Sequence, residues 1–241
     1  MAGERRRRIL KELSADEPGG LGTRRLCEVC AEVVGVTGAG IMLMSGDMPA
    51  GSVCTTDDVS HLVEDLQYTL GEGPCVDAHN LNRPVLEPDL ASPATPRWIA
   101  FSPPAVEAGV RAIFGFPLQV GAARLGALNL YSDTPGPLTG EQHADAMVMA
   151  EIAAQAVLVL QAEAPPGELS GALESESDFQ WVVHQASGMV SAQLEVSVAQ
   201  AMVRLRAYAF GNDRTLSDVA QDVVARTLRF EGRDGEQDRS Q

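Results

Sequence analysis

The chain has few aromatic side chains and no long uninterrupted apolar segment. Aromatic residues make up 5% of its 241 residues, which argues against a sheet that stacks single-stranded bases over a broad surface. No apolar run of about 18 residues occurs, so we predict no transmembrane helix. The basic start, MAGERRRRILKEL, is not followed by an apolar segment, and we expect no secretion signal there.

Positive charge is also scarce. The net charge is −15, and Lys11 is the one lysine among 18 basic residues, which disfavours non-specific binding of polyanions by the molecule as a whole. Residues 179–230 differ from the rest, because five arginines there face four acids, for a local charge of +1. Any nucleic-acid contact is therefore expected in that segment.

Cysteine is limited to four residues, Cys27, Cys30, Cys54 and Cys75. With no secretion signal, we expect a reducing cytoplasm and free thiols. The Cys27-x-x-Cys30 spacing is typical of metal or redox sites. However, no second Cys or His pair follows at the spacing of a zinc finger, so we predict no metal site. We expect Cys30 in the core and Cys27 half-buried beside it, and the sequence indicates no particular cofactor.

Residues 179–230 have the pattern of three short helices. Apolar residues recur at spacings of three and four in each of them. Ser197 with Gln200 forms a capping-box pattern at the start of the second helix, and Gly211 suits its end. Thr215 with Asp218 predicts the start of the third helix. Three helices of this size bury little surface alone, so we expect the unit to lean on a partner domain or a second copy.

This segment, QASGMVSAQLEVSVAQAMVRLRAYAFGNDRTLSDVAQDVV, resembles the ANTAR domain, a three-helix RNA-binding module of bacterial transcription antiterminators. The matching motifs are Ala186-x-Gly188-Met189, then Ala201 with Leu205-Arg206-x-Tyr208-Ala209, and then Leu216-x-x-Val219-Ala220. Many members have lysine where this chain has Ser187. The resemblance implies binding to stem-loop RNA.

The N-terminal part predicts a helix, then about five or six strands with intervening helices, then a long Ala-rich helix. Its motifs LGEGPCVDA, GVRAIFGFPLQVGAARLGALNLY and LTGEQHADAMVMAEIAAQAV resemble a GAF domain, of the kind fused to ANTAR in actinobacterial regulators. The resemblance implies an α+β fold, in which helices flank an antiparallel sheet, followed by the three-helix ANTAR domain. GAF domains hold many ligands or none.

These patterns divide the chain into five parts. The predicted parts are a flexible N-terminus at 1–19, a GAF sensor at 20–162, a linker at 163–178, an ANTAR domain at 179–230 and a disordered tail at 231–241. The linker prediction depends on its Pro, Gly and acidic residues. Arg5–Arg8 could touch RNA, but a solvated flexible end is the favoured interpretation.

The resemblance to ANTAR places RNA across the first two helices and the turn into the third. The expected RNA-binding residues are Gln185, Ser187, Gln193, Arg204, Arg206, Tyr208, Arg214 and Thr215. Arginines can meet loop phosphates, and Tyr208 could stack an unpaired base. The alternatives are core packing for Tyr208, and ion pairs with Asp213, Asp218 or Asp222 for the arginines. For Ala186, Gly188 and Ala201 we expect close helix packing.

A ligand pocket in the GAF part could be lined by Cys54, Asp77, Trp98 and Phe114, although a filled core would use the same residues. Cys75, Asp77 and His79 lie within five positions, and some GAF domains reduce free methionine sulfoxide with cysteines near such a cavity. The alternative for Cys75 is a small core residue, and for His79 a hydrogen bond within its helix. We therefore predict no enzyme activity.

The sequence thus predicts a cytoplasmic antitermination regulator in which the GAF sensor controls RNA binding. We expect a homodimer through the helices near 21–34 and 138–161. Three alternatives remain open: a free methionine sulfoxide reductase, a DNA-binding regulator and a protein-interaction adaptor. The DNA-binding alternative is weakened because the third helix, LSDVAQDVVARTL, has two Asp against one Arg, whereas a major-groove helix is usually basic.

Overall fold

A computed structural model describes residues 2–13, 23–46, 48–162, 178–212 and 214–230. The chain divides into two compact units, Met1–Glu176 and Ser177–Gln241. We describe each unit by itself. Most of the linker predicted at 163–178 and the whole tail predicted at 231–241 lie outside the described residues.

The first unit is built on one five-stranded sheet in which every neighbouring pair is antiparallel. The strands are β1 (Gly38–Ser45), β2 (Met48–Thr55), β3 (Val85–Glu87), β4 (Ala112–Val120) and β5 (Ala123–Ser132). Their spatial order in the sheet is β2-β1-β5-β4-β3. This confirms the predicted α+β class and its antiparallel sheet.

Helices cover both faces of that sheet. Within the described part of this unit they are α1 (Ala2–Leu13), α2 (Thr23–Val34), α3 (Asp58–Leu70), α4 (Pro74–Leu81), α5 (Ser102–Glu107) and α6 (Gly140–Ala162). Local chemistry sets their ends. The Asp57 side chain accepts from the backbone N–H of Ser60 to start α3, and Gly71 ends it at φ 67°, a conformation that glycine adopts without strain.

One face of the sheet carries the main hydrophobic core. Alternate strand residues such as Ile41, Phe114, Phe116 and Leu128 point to this face, as the two-residue side-chain period of a strand requires. They pack with α1, α2 and α6, whose core residues include Met149. The opposite face is covered by α3 and α4, and it holds most of the buried polar groups described below.

The N-terminal segment differs from the flexible end expected from the sequence. Residues 2–13 form α1, and Ile9 and Leu13 are buried in the main core. Arg5 and Arg8 both bind the buried carboxylate of Asp145 on α6. The apolar residues that follow the arginines therefore anchor the segment. Its arginines neutralise a buried acid.

The cysteines also differ from expectation, because Cys27 and Cys54 form a disulfide that joins α2 to β2. Their Cα atoms are 6.1 Å apart, and both side chains are fully buried, so Cys27 is not half-buried as predicted. No local sequence pattern predicts this pairing, since it depends on packing α2 against the edge of the sheet. Cys30 and Cys75 are free and buried.

Helix α6 meets the length and composition of a membrane span, and it is the one such helix in the described ranges. Half of its most apolar 18-residue stretch is buried inside the protein. Its buried residues, among them Ala146, Met149 and Ala153, pack in the main core. This burial explains why a helix of a folded domain has so apolar a sequence.

The second unit contains three helices within its described residues: α7 (Asp178–Leu194), α8 (Val198–Gly211) and α9 (Leu216–Val224). The capping box of Ser197 and Gln200 starts α8, and Thr215 caps α9 by accepting from the N–H of Asp218. Both caps were predicted. A small core holds the trio together through Val183, Ala186, Val190, Ala201, Leu205, Ala209, Leu216, Val219 and Val223.

Candidate functional site

Among the three described helices of the second unit, α8 is the one that carries arginines and no acid. Its sequence, VAQAMVRLRAYAFG, contains two arginines and no acid. Arg204 is exposed and Arg206 is half-buried, whereas Ala201, Leu205 and Ala209 face the core. An amphipathic helix of this kind offers its outer face to a large anionic ligand without disturbing the core.

The residues predicted on α7 take different positions. Gln185 is exposed. Ser187 is fully buried, and its hydroxyl donates to the carbonyl of His184 at 2.8 Å. The side-chain oxygen of Gln193 accepts from the backbone N–H of Phe230 at 2.9 Å. In this arrangement Gln185 can reach an external ligand, whereas Ser187 and Gln193 serve contacts within the unit.

Tyr208 packs against the segment that follows α9. Its ring lies edge-on to that of Phe230, with centroids 5.4 Å apart, a favourable geometry for an aromatic pair. The side chain is half-buried. This placement corresponds to the core-packing alternative weighed for Tyr208 from the sequence.

The turn into α9 is fixed by Arg214 and Thr215. Arg214 Nη2 lies 2.8 Å from Asp222 Oδ2, one of the three ion-pair partners considered from the sequence. Hydrogen bonds from Arg214 and from Thr227 lower the pKa of Asp222. Thr215 Oγ1 accepts from the N–H of Asp218 at 3.1 Å. Both side chains therefore stabilise the turn into α9, and both remain accessible to solvent.

The sequence analysis did not single out Phe210. In the structure the exposed fraction of this residue is 70%. Val203, seven residues earlier on α8, is exposed to 58%. The helical period was the available signal, because it puts position 210 opposite Leu205 and Tyr208.

In the first unit, α3 and α4 pack closely against a row of three residues on the sheet face that they cover. Gly40 on β1, Asn129 on β5 and Gly115 on β4 stand directly opposite one another in register. A Cβ at Gly40 would meet the Glu64 side chain of α3, and one at Gly115 would meet the Pro74 carbonyl of α4. The two glycines thus let the helices lie close to the sheet.

Several polar atoms near this row have no hydrogen-bond partner among the described residues. They are Asn129 Oδ1, Gln67 Nε2 and His79 Nδ1, and all three side chains are buried. Gln67 accepts from the N–H of Cys75 at 2.7 Å. His79 Nε2 lies 2.9 Å from the carbonyl of Gly46, so His79 binds a turn of the sheet rather than its own helix. Unsatisfied buried polar atoms are uncommon in folded proteins, and each of them needs an explanation such as a bound water, ion or ligand.

The sheet separates the four residues predicted to line a ligand pocket. Cys54 and Phe114 lie in the main core, under α2 and α6. Asp77 on α4 accepts a hydrogen bond from Trp98 Nε1 at 2.9 Å. The structure therefore brings Asp77 and Trp98 together and keeps the other two apart from them. Strand alternation was the signal that could have placed Phe114 with Phe116 instead.

Cys75 lies in a poor environment for thiol chemistry. It is fully buried, and burial together with the charge of Glu64 raises the pKa of its thiol well above the ordinary value. A nucleophilic cysteine needs a lowered pKa and access to substrate. Within the described ranges, no group of three or more His, Cys, Asp or Glu side chains is arranged to hold a metal ion.

Two family models match this chain. The model described as GAF domain matches residues 23–161, and the model described as ANTAR domain matches residues 169–224. No curated protein matches the chain. The GAF match covers the sheet and helices α2–α6, and the ANTAR match covers α7, α8 and α9.

Solved structures resemble the first unit in fold. The GAF domain of a phosphoenolpyruvate-protein phosphotransferase from Coxiella burnetii is 16% identical over 67% of this chain and 95% of its own, with a TM-score of 0.50. A type II free methionine-R-sulfoxide reductase from Thermoplasma acidophilum is 18% identical over 54% of this chain and 84% of its own, with a TM-score of 0.42. At such identities only the fold is compared, and no chemistry follows for this chain.

Proposed function

Because the chain belongs to the GAF domain family and carries an ANTAR domain after the GAF domain, we propose that it is a transcription antitermination regulator that binds stem-loop RNA. The architecture is that of a regulator with a sensor domain and an RNA-binding output. The finer steps, namely the RNA structure bound and the effect on transcription, are our proposal.

The observation that carries the proposal is the acid-free helix α8 within the region matched by the ANTAR model. In a chain of net charge −15, a helix whose charged residues are all arginines concentrates attraction for phosphate in this part of the chain. The rest of the molecule repels other polyanions. Selective binding of one RNA shape is the expected result.

The contacts divide into those that can reach RNA and those that hold the unit in shape. Arg204 and Arg206 on α8 and Gln185 on α7 supply the proposed contacts, because guanidinium and amide groups bind phosphates and base edges. Ser187, Gln193 and Thr215 support the helices that carry them. Arg214 belongs to both groups, since its ion pair with Asp222 leaves about a third of its side chain exposed.

We propose that binding itself performs the regulation. If the protein holds paired stem-loops in a nascent transcript, the strands needed for a terminator hairpin are occupied, and transcription continues. No covalent chemistry is required. Phosphate contacts and base stacking supply the binding free energy, which therefore falls as salt concentration rises.

For the GAF domain we propose a small polar ligand on the face covered by α3 and α4. The unpartnered acceptor of Asn129 and the unpartnered donor of Gln67 suit a ligand with both a donor and an acceptor. We further propose that the protein acts in the cytoplasm as a homodimer through the helices that flank the GAF sheet.

A selection experiment tests RNA binding. The full-length protein is mixed with a pool of tandem stem-loop transcripts with randomised loops, and the enriched RNA is titrated at several salt concentrations. Arg204→Ala and Arg206→Ala should each weaken binding and reduce the slope of log affinity against log salt by about 0.7 to 0.9. Arg83→Ala, which removes an exposed arginine between α4 and β3, is the matched control and should bind as wild type.

Two outcomes would reject the proposal. One is that wild-type protein enriches no tandem stem-loop at low ionic strength. The other is that double-stranded DNA of the same sequence competes as well as the RNA, which would favour the DNA-binding alternative. The exposed Asp218 on α9 disfavours DNA binding through this helix, since an acid on a recognition helix repels DNA phosphate.

A further inference from the structure

We propose that Phe210, and not Tyr208, is the aromatic side chain on which this protein stacks an unpaired RNA base. The inference rests on the proposed function and names the residue that reads the loop. It begins from an exposure that folding does not explain. Phe210 leaves 70% of its side-chain surface in solvent, in a chain that has only six phenylalanines.

Tyr208 is occupied elsewhere. Its ring meets that of Phe230 edge-on at 5.4 Å, and the side chain is half-buried. A base that stacked on this ring would compete with Phe230 for part of its surface, and the backbone N–H of Phe230 is also bound by Gln193. The cost of breaking that local packing would oppose binding.

Phe210 lies on the outward surface of α8. At about 100° per residue, positions 203, 206 and 210 fall within about 60° of one another. Arg206 is one turn before Phe210, and the exposed Val203 is two turns before it. The surface thus combines an open aromatic ring with a guanidinium at a distance of one helical turn. This pairing suits a splayed base and its neighbouring phosphate.

The charges on this surface favour RNA over a second copy of the chain. Helix α8 has two arginines and no acid. In a symmetric contact centred on this surface, the surface meets itself, so Arg206 would approach Arg206 of the second copy with no acid of α8 to pair with. Like charges at an interface oppose association. A polyanion with unpaired bases satisfies the charge and the ring together.

The test uses full-length protein and the tandem stem-loop RNA that wild-type protein enriches from a loop-randomised pool. Phe210→Ala should weaken binding about tenfold or more, since base–aromatic stacking is lost, and Phe210→Tyr should restore most of the affinity. Val198→Ala, an exposed apolar change at the start of α8 and outside this surface, is the matched control and should bind within about twofold of wild type. Circular dichroism and melting temperature should stay unchanged in all three variants, because both side chains are exposed.

A direct readout locates the stacking. In Phe210→Trp, indole fluorescence should be quenched on RNA binding, whereas wild-type protein, which keeps Trp98 and Trp181, should show much less quenching. The inference is overturned if wild-type protein binds RNA and Phe210→Ala binds equally well, or if Phe210→Ala changes only the oligomeric state. If wild-type protein enriches no RNA at all, it is the proposed function that fails.

Discussion

The two units place their polar and aromatic side chains in opposite ways. The GAF unit buries Gln67, His79 and Asn129 between a sheet and two helices. The ANTAR unit keeps Arg204 and Phe210 on the outside of a helix and buries mainly small apolar residues. An enclosed set of donors and acceptors suits a ligand small enough to be surrounded, whereas an exposed set suits a ligand larger than the domain.

The difference extends to glycine. Gly115 lies where a strand touches a helix, and a Cβ there would meet the backbone of Pro74. Gly188 lies on the exposed side of α7, and a Cβ there would meet nothing within 4 Å. This differs from the expectation that Gly188 serves close helix packing. Ala186 and Ala201 are both fully buried.

The largest expected effect is a loss of packing in the GAF unit. Gly115→Val would push a branched side chain into the Pro74 carbonyl and the Ala78 side chain, so β4 and α4 would have to separate. We expect a loss of about 3 kcal/mol or more in the stability of this unit. Hydrogen exchange resolved by peptide should show faster exchange in residues 23–162 and unchanged exchange in α7 to α9. Equal loss of protection in both units would contradict the comparison.

The next largest effect concerns the disulfide of the GAF unit. Reduction, or Cys54→Ser, should lower the free energy of unfolding of this unit by about 3 kcal/mol, because the Cys27–Cys54 bond closes a loop with a sequence separation of 27 and restricts the unfolded chain. The measurement is denaturant unfolding with and without dithiothreitol, followed by the fluorescence of Trp98 in a Trp181→Phe background.

Two controls accompany the disulfide measurement. Cys54→Ser should no longer respond to the reductant, and Cys30→Ala should respond as wild type does, because Cys30 is a free thiol. Wild-type protein that unfolds at the same denaturant concentration in both conditions would show that the bond does not stabilise the domain. In a reducing cytoplasm the dithiol form would prevail, so the domain would function there with a smaller stability margin.

A smaller, opposite effect is expected at Gly188 in the ANTAR unit. Gly188→Ala should raise the melting temperature of this unit, since alanine is favoured over glycine inside a helix by about 0.5–1 kcal/mol. Nothing in the described residues obstructs the added methyl group. Calorimetry and RNA titration should be measured together. If stability rises while RNA affinity falls, an RNA backbone approaches this glycine closely; a fall in stability would contradict the open surface.

The smallest effect should come from the surface ion pair of Arg214 and Asp222. The folded-state pKa of Asp222 is lowered by Arg214 and Thr227. Its contribution is therefore present above the unfolded pKa of about 4 and is lost as pH falls through the folded value. Asp222→Asn should reduce the melting temperature of the ANTAR unit at pH 7 and make little difference at pH 2. An equal reduction at pH 7 and at pH 2 would contradict a stabilising role of this ion pair.

Much of the fold could be predicted because its signals are local. The capping pairs Ser197–Gln200 and Thr215–Asp218 formed as expected, since a cap needs only a side-chain oxygen and an N–H three residues away. The antiparallel sheet with flanking helices was likewise confirmed. Strands of alternating or continuous apolar residues and long Ala-rich helices are visible in the chain itself.

The candidate sites were predicted less well, because they depend on which faces meet. The four residues predicted for a ligand pocket are divided by the sheet, with Phe114 on one side and Asp77 on the other. The sequence analysis did not identify Asn129, although this polar residue stands out within the apolar strand segment LGALNLY. Tyr208 and Phe210 are two residues apart on one helix, and only the position of Phe230 shows which ring is open.

By itself, the sequence determined the two domains, the positions of several helix ends and the contrast between an acidic chain and a locally basic segment. These properties come from neighbouring residues and from composition, so they need no knowledge of distant contacts. Only the tertiary structure decided that Cys27 pairs with Cys54, that Arg5 and Arg8 neutralise Asp145, and that Asn129 faces α3 and α4. Each of these joins residues far apart in the chain, and packing alone selects one partner among many that the sequence allows.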